Sequence, residues 1–155
     1  MKTAIILSDT HGNKNLDKLK QIMAESDYIF HLGDTSSDGG RIRTEFPDKT
    51  IVINGNCDPF HLGENEAILQ IENLKIFATH GHRYSVKSTR QRLAEAAKKE
   101  GCRIALYGHT HRADEEEIDG VACLNPGTLS RYSAKSYGYL VINGAKFTYT
   151  IVNIE

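Results

Sequence analysis

The chain has 155 residues, a length that suits one domain (1–155) around one connected core. Hydrophobic residues make up 39% and charged residues 25%, as in an ordinary globular protein, and no apolar run is long enough to span a bilayer, so no membrane partner is expected. A formal net charge of −1 and a pI near 6.7 exclude a general attraction to nucleic-acid duplexes or anionic membranes, so any phosphate binding must come from a local site.

Taken in chain order, Ala4 to Leu7 is a continuous apolar run, as expected of a strand covered on both faces. It runs straight into Ser8-Asp9-Thr10-His11, which argues against a signal peptide. Leu16, Leu19, Ile22 and Met23 have helical spacing and predict a helix over 16–24. Tyr28 to Leu32 and Thr50 to Ile53 read as the next strands. Glu66 to Glu72 and Lys75 to Thr79 predict an antiparallel pair around Asn73-Leu74. Ser88 to Lys99 reads as a helix, with capping-box spacing at Ser88 and Gln91 and a stop at Gly101. Arg103 to Tyr107 is a further strand. Asp119-Gly120 and Asn143-Gly144 mark the tight turns of two closing hairpins, the second running from Tyr137 to Ile154. The order is α/β early and antiparallel late, which implies mixed sheets with helices outside.

Cys57, Cys102 and Cys123 are odd in number and lack CxxC spacing, so a disulfide framework is not expected and a reducing cytoplasm is.

The polar residues gather at the strand ends. Asp9-Thr10-His11, Gly33-Asp34, Gly55-Asn56-Cys57-Asp58, His80-Gly81-His82 and Gly108-His109-Thr110-His111 each follow an apolar strand and sit beside glycine. Loops beyond the carboxyl ends of the strands converge on one crevice in an α/β sheet, so these clusters are expected to meet. Imidazoles and carboxylates suit Mn, Fe, Ni, Co or Zn. Asp9, His11, Asp34, Asn56, His80, His109 and His111 offer more donors than one metal needs, which favours two metals sharing a carboxylate. Residues i and i+2 on a loop leaving a strand can point the same way, so both members of Asp9-x-His11 or His109-x-His111 can face one metal centre.

These five motifs, in order along nearly the whole chain, resemble the calcineurin-like metallophosphoesterase family, in its compact bacterial and archaeal phosphodiesterase branch, to which Vps29 is related. The resemblance implies an αββα sandwich of two mixed sheets. It implies a phosphoesterase, and within that class a phosphodiesterase, that hydrolyses a small phosphoester by attack of a hydroxide bridging two divalent ions, with Mn2+ the expected metal. Asp9, His11 and His111 would hold one ion and Asn56, His80 and His109 the other, with Asp34 bridging.

Many members of the family have Gly-Asn-His at the third motif. Here Cys57 replaces that histidine, and a thiol is a weaker donor and a poorer acid near neutrality. Substrates with good leaving groups are therefore expected to be turned over best. His82 is a candidate phosphate donor or leaving-group acid, with Cys57 and Asp58 the other catalytic candidates. Asn56, His82, Asn125 and Arg131 are the candidate substrate contacts, with a structural turn the bland reading of Asn125-Pro126-Gly127-Thr128. His31, inside an apolar strand, reads as a hydrogen-bonded core residue, and His61 as a loop residue. Asp114-Glu115-Glu116-Glu117 reads as a solvated strand and turn. The competing function is a Vps29-like binding scaffold without catalysis; a single structural zinc is a third reading. Exposed hairpin edges permit a homo-oligomer.

Overall fold

A computed structural model describes residues 1–11, 14–58, 63–130 and 133–154. The elements run β1 (Lys2–Leu7), a 3-10 helix (Lys14–Leu19) continuing into α1 (Lys20–Glu25), β2 (Tyr28–His31), α2 (Ser36–Glu45) and β3 (Thr50–Val52). They continue β4 (Glu66–Ile71), β5 (Leu74–Thr79), a 3-10 turn (His82–Tyr84), α3 (Gln91–Lys99) and β6 (Ile104–Leu106). The chain closes with β7 (Ala113–Ile118), β8 (Val121–Pro126), β9 (Lys135–Asn143) and β10 (Lys146–Ile154).

The strands form two five-stranded mixed sheets, ordered β10-β9-β1-β2-β3 and β4-β5-β6-β8-β7. In the first, β1 pairs parallel with β2 and antiparallel with β9; in the second, β6 lies parallel between β5 and β8. Strand alternation sorts side chains to two faces. Ala4 and Ile6 join Phe30, Ile76, Ile104, Leu106 and Leu124 in the layer between the sheets. Ile5 and Leu7 face outward onto Leu16, Leu19, Met23 and Ile42. On the other side Ala105 and Cys123 lie under Leu93, Ala94 and Ala97 of α3. The four layers are helix, sheet, sheet, helix, as the sequence motifs imply. Each large aliphatic side chain buried in these layers contributes about 1.5–3 kcal/mol.

Two local expectations change, and one helix has no counterpart among them. The capping box is not made: α3 begins at Gln91, whose N–H is accepted by Thr89 Oγ1 at 3.2 Å, and its N-cap residue Arg90 makes no side-chain cap. Asn143 is the last paired residue of β9, opposite Lys146, which leaves Gly144-Ala145 as the two-residue turn. Gly144 takes φ +65° there, as a type II′ hairpin requires at its first turn position. Helix α2 was not anticipated, because Ser36-Ser37-Asp38-Gly39-Gly40 has little helical preference. Packing overrides that preference. A Cβ on Gly39 would stand 2.8 Å from Val52 Cγ1 and 3.2 Å from His31 Cβ, so glycine lets the helix lie directly on β2 and β3.

Candidate metal centre

Residues beyond the carboxyl ends of β1, β2, β3, β5 and β6 form the site. Asp9, Asp34 and His80 are buried, while His11 is exposed and His109 and His111 are half-buried. Their donor atoms fall into two groups, Asp9–His11–His111 and Asp34–His80–His109, each within 4.8 Å internally. Asp9 Oδ1 is 3.2 Å from His111 Nε2 and 4.0 Å from His80 Nε2, so the groups adjoin. Asp34 Oδ2 is 3.3 Å from His80 Nε2.

The Asp9-x-His11 pair therefore serves one group, whereas His109 and His111 divide between the two. Simple strand alternation does not produce this arrangement. Asp9, His11, Asp34, His109 and His111 all have left-handed backbone, with φ of 53°, 50°, 45°, 72° and 62°. Such conformations cost non-glycine residues roughly 1–2 kcal/mol each and turn the side chains off the strand axis into the crevice.

Hydrogen bonds fix each donor. Asp9 Oδ2 accepts from Ser8 Oγ (2.7 Å) and from the His109 N–H (3.0 Å), leaving Oδ1 for the centre. The Leu32 carbonyl accepts from His80 Nδ1 (2.7 Å), so Nε2 faces the carboxylates. Asp34 Oδ1 accepts the Cys57 N–H (2.9 Å). Asp58 Oδ2 accepts the N–H groups of Asp34 (3.0 Å) and Gly55 (2.6 Å), so Asp58 acts by positioning Asp34. Thr10, between two donors, accepts from His31 Nε2 (3.0 Å) and donates to Asp38 Oδ2 (2.5 Å). His31 Nδ1 accepts the Gly33 N–H (3.2 Å), and His31 is fully buried, a hydrogen-bonded core histidine. Sequence reasoning missed Ser8, Thr10 and Asp38; the unbroken polar run Ser8 to His11 after a buried strand is the signal for the first two, and Asp38 carries none.

The donor set fits divalent cations. Among the described residues, the buried side-chain atoms without a hydrogen-bond partner are Asp9 Oδ1, His80 Nε2 and His82 Nδ1. Two of them belong to the donor groups, and an orphaned buried carboxylate oxygen is costly unless a cation meets it. Burial works against ionised Asp34, but the neighbouring His80 ring, with the Cys57 amide, holds its carboxyl well below the usual carboxylate range. Burial likewise opposes a charged His80, while Asp34 and Asp9 raise its proton affinity. The Asp9 carboxylate beside it raises the proton affinity of His111. Carboxylates that hold a proton on imidazole in this way would hold a metal ion in its place.

The other candidates are distributed around this centre. The His82 ring lies 5.5 Å from that of His80 and 6.1 Å from that of His109, and burial lowers its pKa. Cys57 is exposed; partial desolvation and Asp34 raise its thiol pKa, so it stays protonated near neutrality. Asn56 is exposed on the same loop. Asn125 does not meet the expectation of a substrate contact. It is fully buried, its Nδ2 donates to the Gly108 carbonyl (3.2 Å) and Thr110 Oγ1 (3.0 Å), and its Oδ1 accepts the Gly127 N–H (2.8 Å). Asn125 is a structural brace for the His109-x-His111 loop. Arg131 and His61 lie outside the described residues. Asp114 to Glu117 form the edge strand β7, with Glu116 paired to Arg90 and Glu117 to Arg103.

A carboxylate–imidazole cluster at the strand ends of a four-layer sandwich defines a metal-dependent class of α/β protein. Residues 1–146 match the model of the calcineurin-like phosphoesterase superfamily domain, and the chain belongs to that family. It is 32% identical over 129 residues to the probable metallophosphoesterase YsnB of Bacillus subtilis, covering 81% of this chain and 73% of that protein. It is 42% identical over 152 residues to the phosphodiesterase MJ0936 of Methanocaldococcus jannaschii, covering 82% and 84%. The crystal structure of Chaetomium thermophilum Vps29 superposes with a TM-score of 0.83 at 15% identity, covering all of this chain and 90% of that one, a likeness of fold. Among the described residues no helix is long and apolar enough to cross a membrane.

Proposed function

We propose that the protein is a dinuclear metal-dependent phosphodiesterase for small phosphate esters, with manganese as its working metal. One observation carries this reading: two adjoining three-residue donor groups, with buried Asp9 Oδ1 and His80 Nε2 left without hydrogen-bond partners. Asp9, His11 and His111 would hold one ion and Asn56, His80 and His109 the other, with Asp34 shared. When bound, such a pair supplies an activated water near neutral pH and charge for the phosphoryl oxygens.

The chain's own residues set the geometry for this chemistry. Ser8 and the His109 amide fix the Asp9 carboxylate, and Asp58 and the Cys57 amide fix Asp34 and its loop. His82, whose ring neighbours those of His80 and His109, would be the group that donates a hydrogen bond to a phosphate oxygen or leaving group. Cys57 is a poor acid, which favours esters with good leaving groups such as aryl diesters. A phosphodiesterase relative at 42% identity supports the diester preference. The buried, unpaired thiols of Cys102 and Cys123 agree with a reducing cytoplasm.

Hydrolysis of a chromogenic aryl phosphodiester tests the reading. Activity that appears with added manganese and vanishes in a chelated sample supports it. The fold likeness to Vps29 keeps a scaffold function as the second reading, and inactivity with both metal positions filled would select it.

A further inference from the structure

Beside the candidate metal centre lies a cavity of about 550 Å³ whose lining includes Lys87, Arg90, Tyr107, Thr110, Arg112 and Asp114. That volume suits a group of nucleotide size. The cavity and the centre share a wall, because Thr110 lies between His109 and His111.

The charges in the cavity are unequal. Arg90 is held by Glu116 (3.0 Å) and by the Val86 carbonyl (3.1 Å). Lys87 and Arg112 are exposed and have no ion-pair partner among the described residues. The lone lining carboxylate, Asp114, lies 3.5 Å from the Tyr107 hydroxyl. On a chain of net charge −1, two unpaired cations around a cavity next to a phosphoester site form a local anion-binding surface. Val86, Tyr107 and Ala113 give the remaining wall an apolar and aromatic character suited to the carbon skeleton between two anionic groups.

We propose that this cavity is a specificity subsite that binds a second anionic group, a phosphate or carboxylate, carried by one arm of the phosphodiester substrate. The proposal rests on the phosphodiesterase reading and narrows its substrate class to diesters bearing an additional negative group.

Manganese-loaded protein is assayed by product chromatography on a thymidine dinucleotide and on its forms carrying a terminal 5′ or 3′ phosphate. The expected result is a preference, in kcat/KM, of about tenfold or more for at least one phosphorylated form, shrinking as salt rises. In Lys87→Ala/Arg112→Ala the preference falls toward unity, whereas in Lys146→Ala, on the far hairpin, it persists. A binding readout accompanies the kinetics: in chelated protein, thymidine 3′,5′-bisphosphate binds and the double variant weakens it about tenfold. No preference in the wild type, or a preference and a bisphosphate affinity that survive the double substitution, overturns the subsite. Loss of hydrolysis for all three dinucleotides and for an aryl diester, with bisphosphate binding still dependent on Lys87 and Arg112, instead overturns the phosphodiesterase reading.

Discussion

Thr10 donates its hydroxyl proton to the buried Asp38 carboxylate at 2.5 Å, joining the first turn of α2 to the loop that carries Asp9 and His11. Through His31, which donates to Thr10 and accepts from the Gly33 N–H, the same contact reaches the Asp34 loop. Three side chains, Thr10, His31 and Asp38, thus brace the two loops that carry the candidate ligands Asp9, His11 and Asp34. Such outer contacts typically change metal affinity 10- to 100-fold when lost. Thr10→Val and Asp38→Asn are expected to weaken manganese binding by about that factor, and Thr10→Ser to retain it, as read by calorimetric titration. Unchanged affinity in both disruptive variants would show that the brace does not control the site.

Gly55 and Gly108 are required by close approach. A Cβ on Gly55 would lie 2.1 Å from Asp34 Oδ1, and one on Gly108 would lie 2.0 Å from Ser8 Oγ and 3.0 Å from Asp9 Oδ2. Gly55→Ala and Gly108→Ala are expected to lower phosphodiester hydrolysis by about 10²-fold or more through misplaced ligands. Gly101 offers a contrast, since it takes φ +77° at the end of α3 with open space around it. Gly101→Ala is expected to cost about 1 kcal/mol of stability without changing manganese affinity, a split measured by melting and metal titration.

Cys57 separates leaving-group chemistry from metal binding. Its thiol is held in the protonated form by partial desolvation and by Asp34. Replacing it by histidine restores a better proton donor at that position, so Cys57→His is expected to speed cleavage of alkyl diesters by up to about 10²-fold with little change for aryl diesters. The ratio of the two kcat/KM values checks this, and an unchanged ratio would count against Cys57 as the reason for a leaving-group preference.

His31 gives the protein an acid sensitivity of predictable sign. Burial lowers its folded pKa below the ordinary 6.5. As pH falls through 6.5 the unfolded chain takes up the proton first, so stability present above that pH is lost below it, by about 1.4 kcal/mol per unit until the folded pKa is reached. His31→Gln removes this contribution. Between about pH 7.5 and pH 5.5 the wild-type melting temperature is expected to fall roughly 2–4 °C further than that of the variant. Equal decreases would show that His31 is not the source.

The sequence was informative where chemistry coincided with punctuation. Asp9, Asp34, His80 and His109 each follow an apolar strand, so the crevice and its donors were legible without coordinates, as was His31 as a core histidine. Gly101 and the Asp119-Gly120 turn, where both residues take positive φ, were legible for the same reason. Helix α2 was not, because its Gly39 is chosen for contact with Val52 and His31 rather than for helical preference. Asn125 was open to both readings, substrate contact and structural turn, since an asparagine in a turn looks the same whether it faces substrate or braces backbone, and its burial behind the His109-x-His111 loop favours the turn. Lys87 and Arg112 are 25 residues apart and meet only through the packing of the segment before α3 against the loop after β6, so no local pattern could pair them.

Manganese stoichiometry followed in parallel with aryl phosphodiester hydrolysis tests the central claim most directly. Two ions per chain in the wild type, with activity rising as the second binds, and one ion or none with activity lost in Asp34→Asn, is the predicted result. A single ion per chain, or two ions whose binding and activity are indifferent to Asp34→Asn, would contradict a centre built around that shared carboxylate.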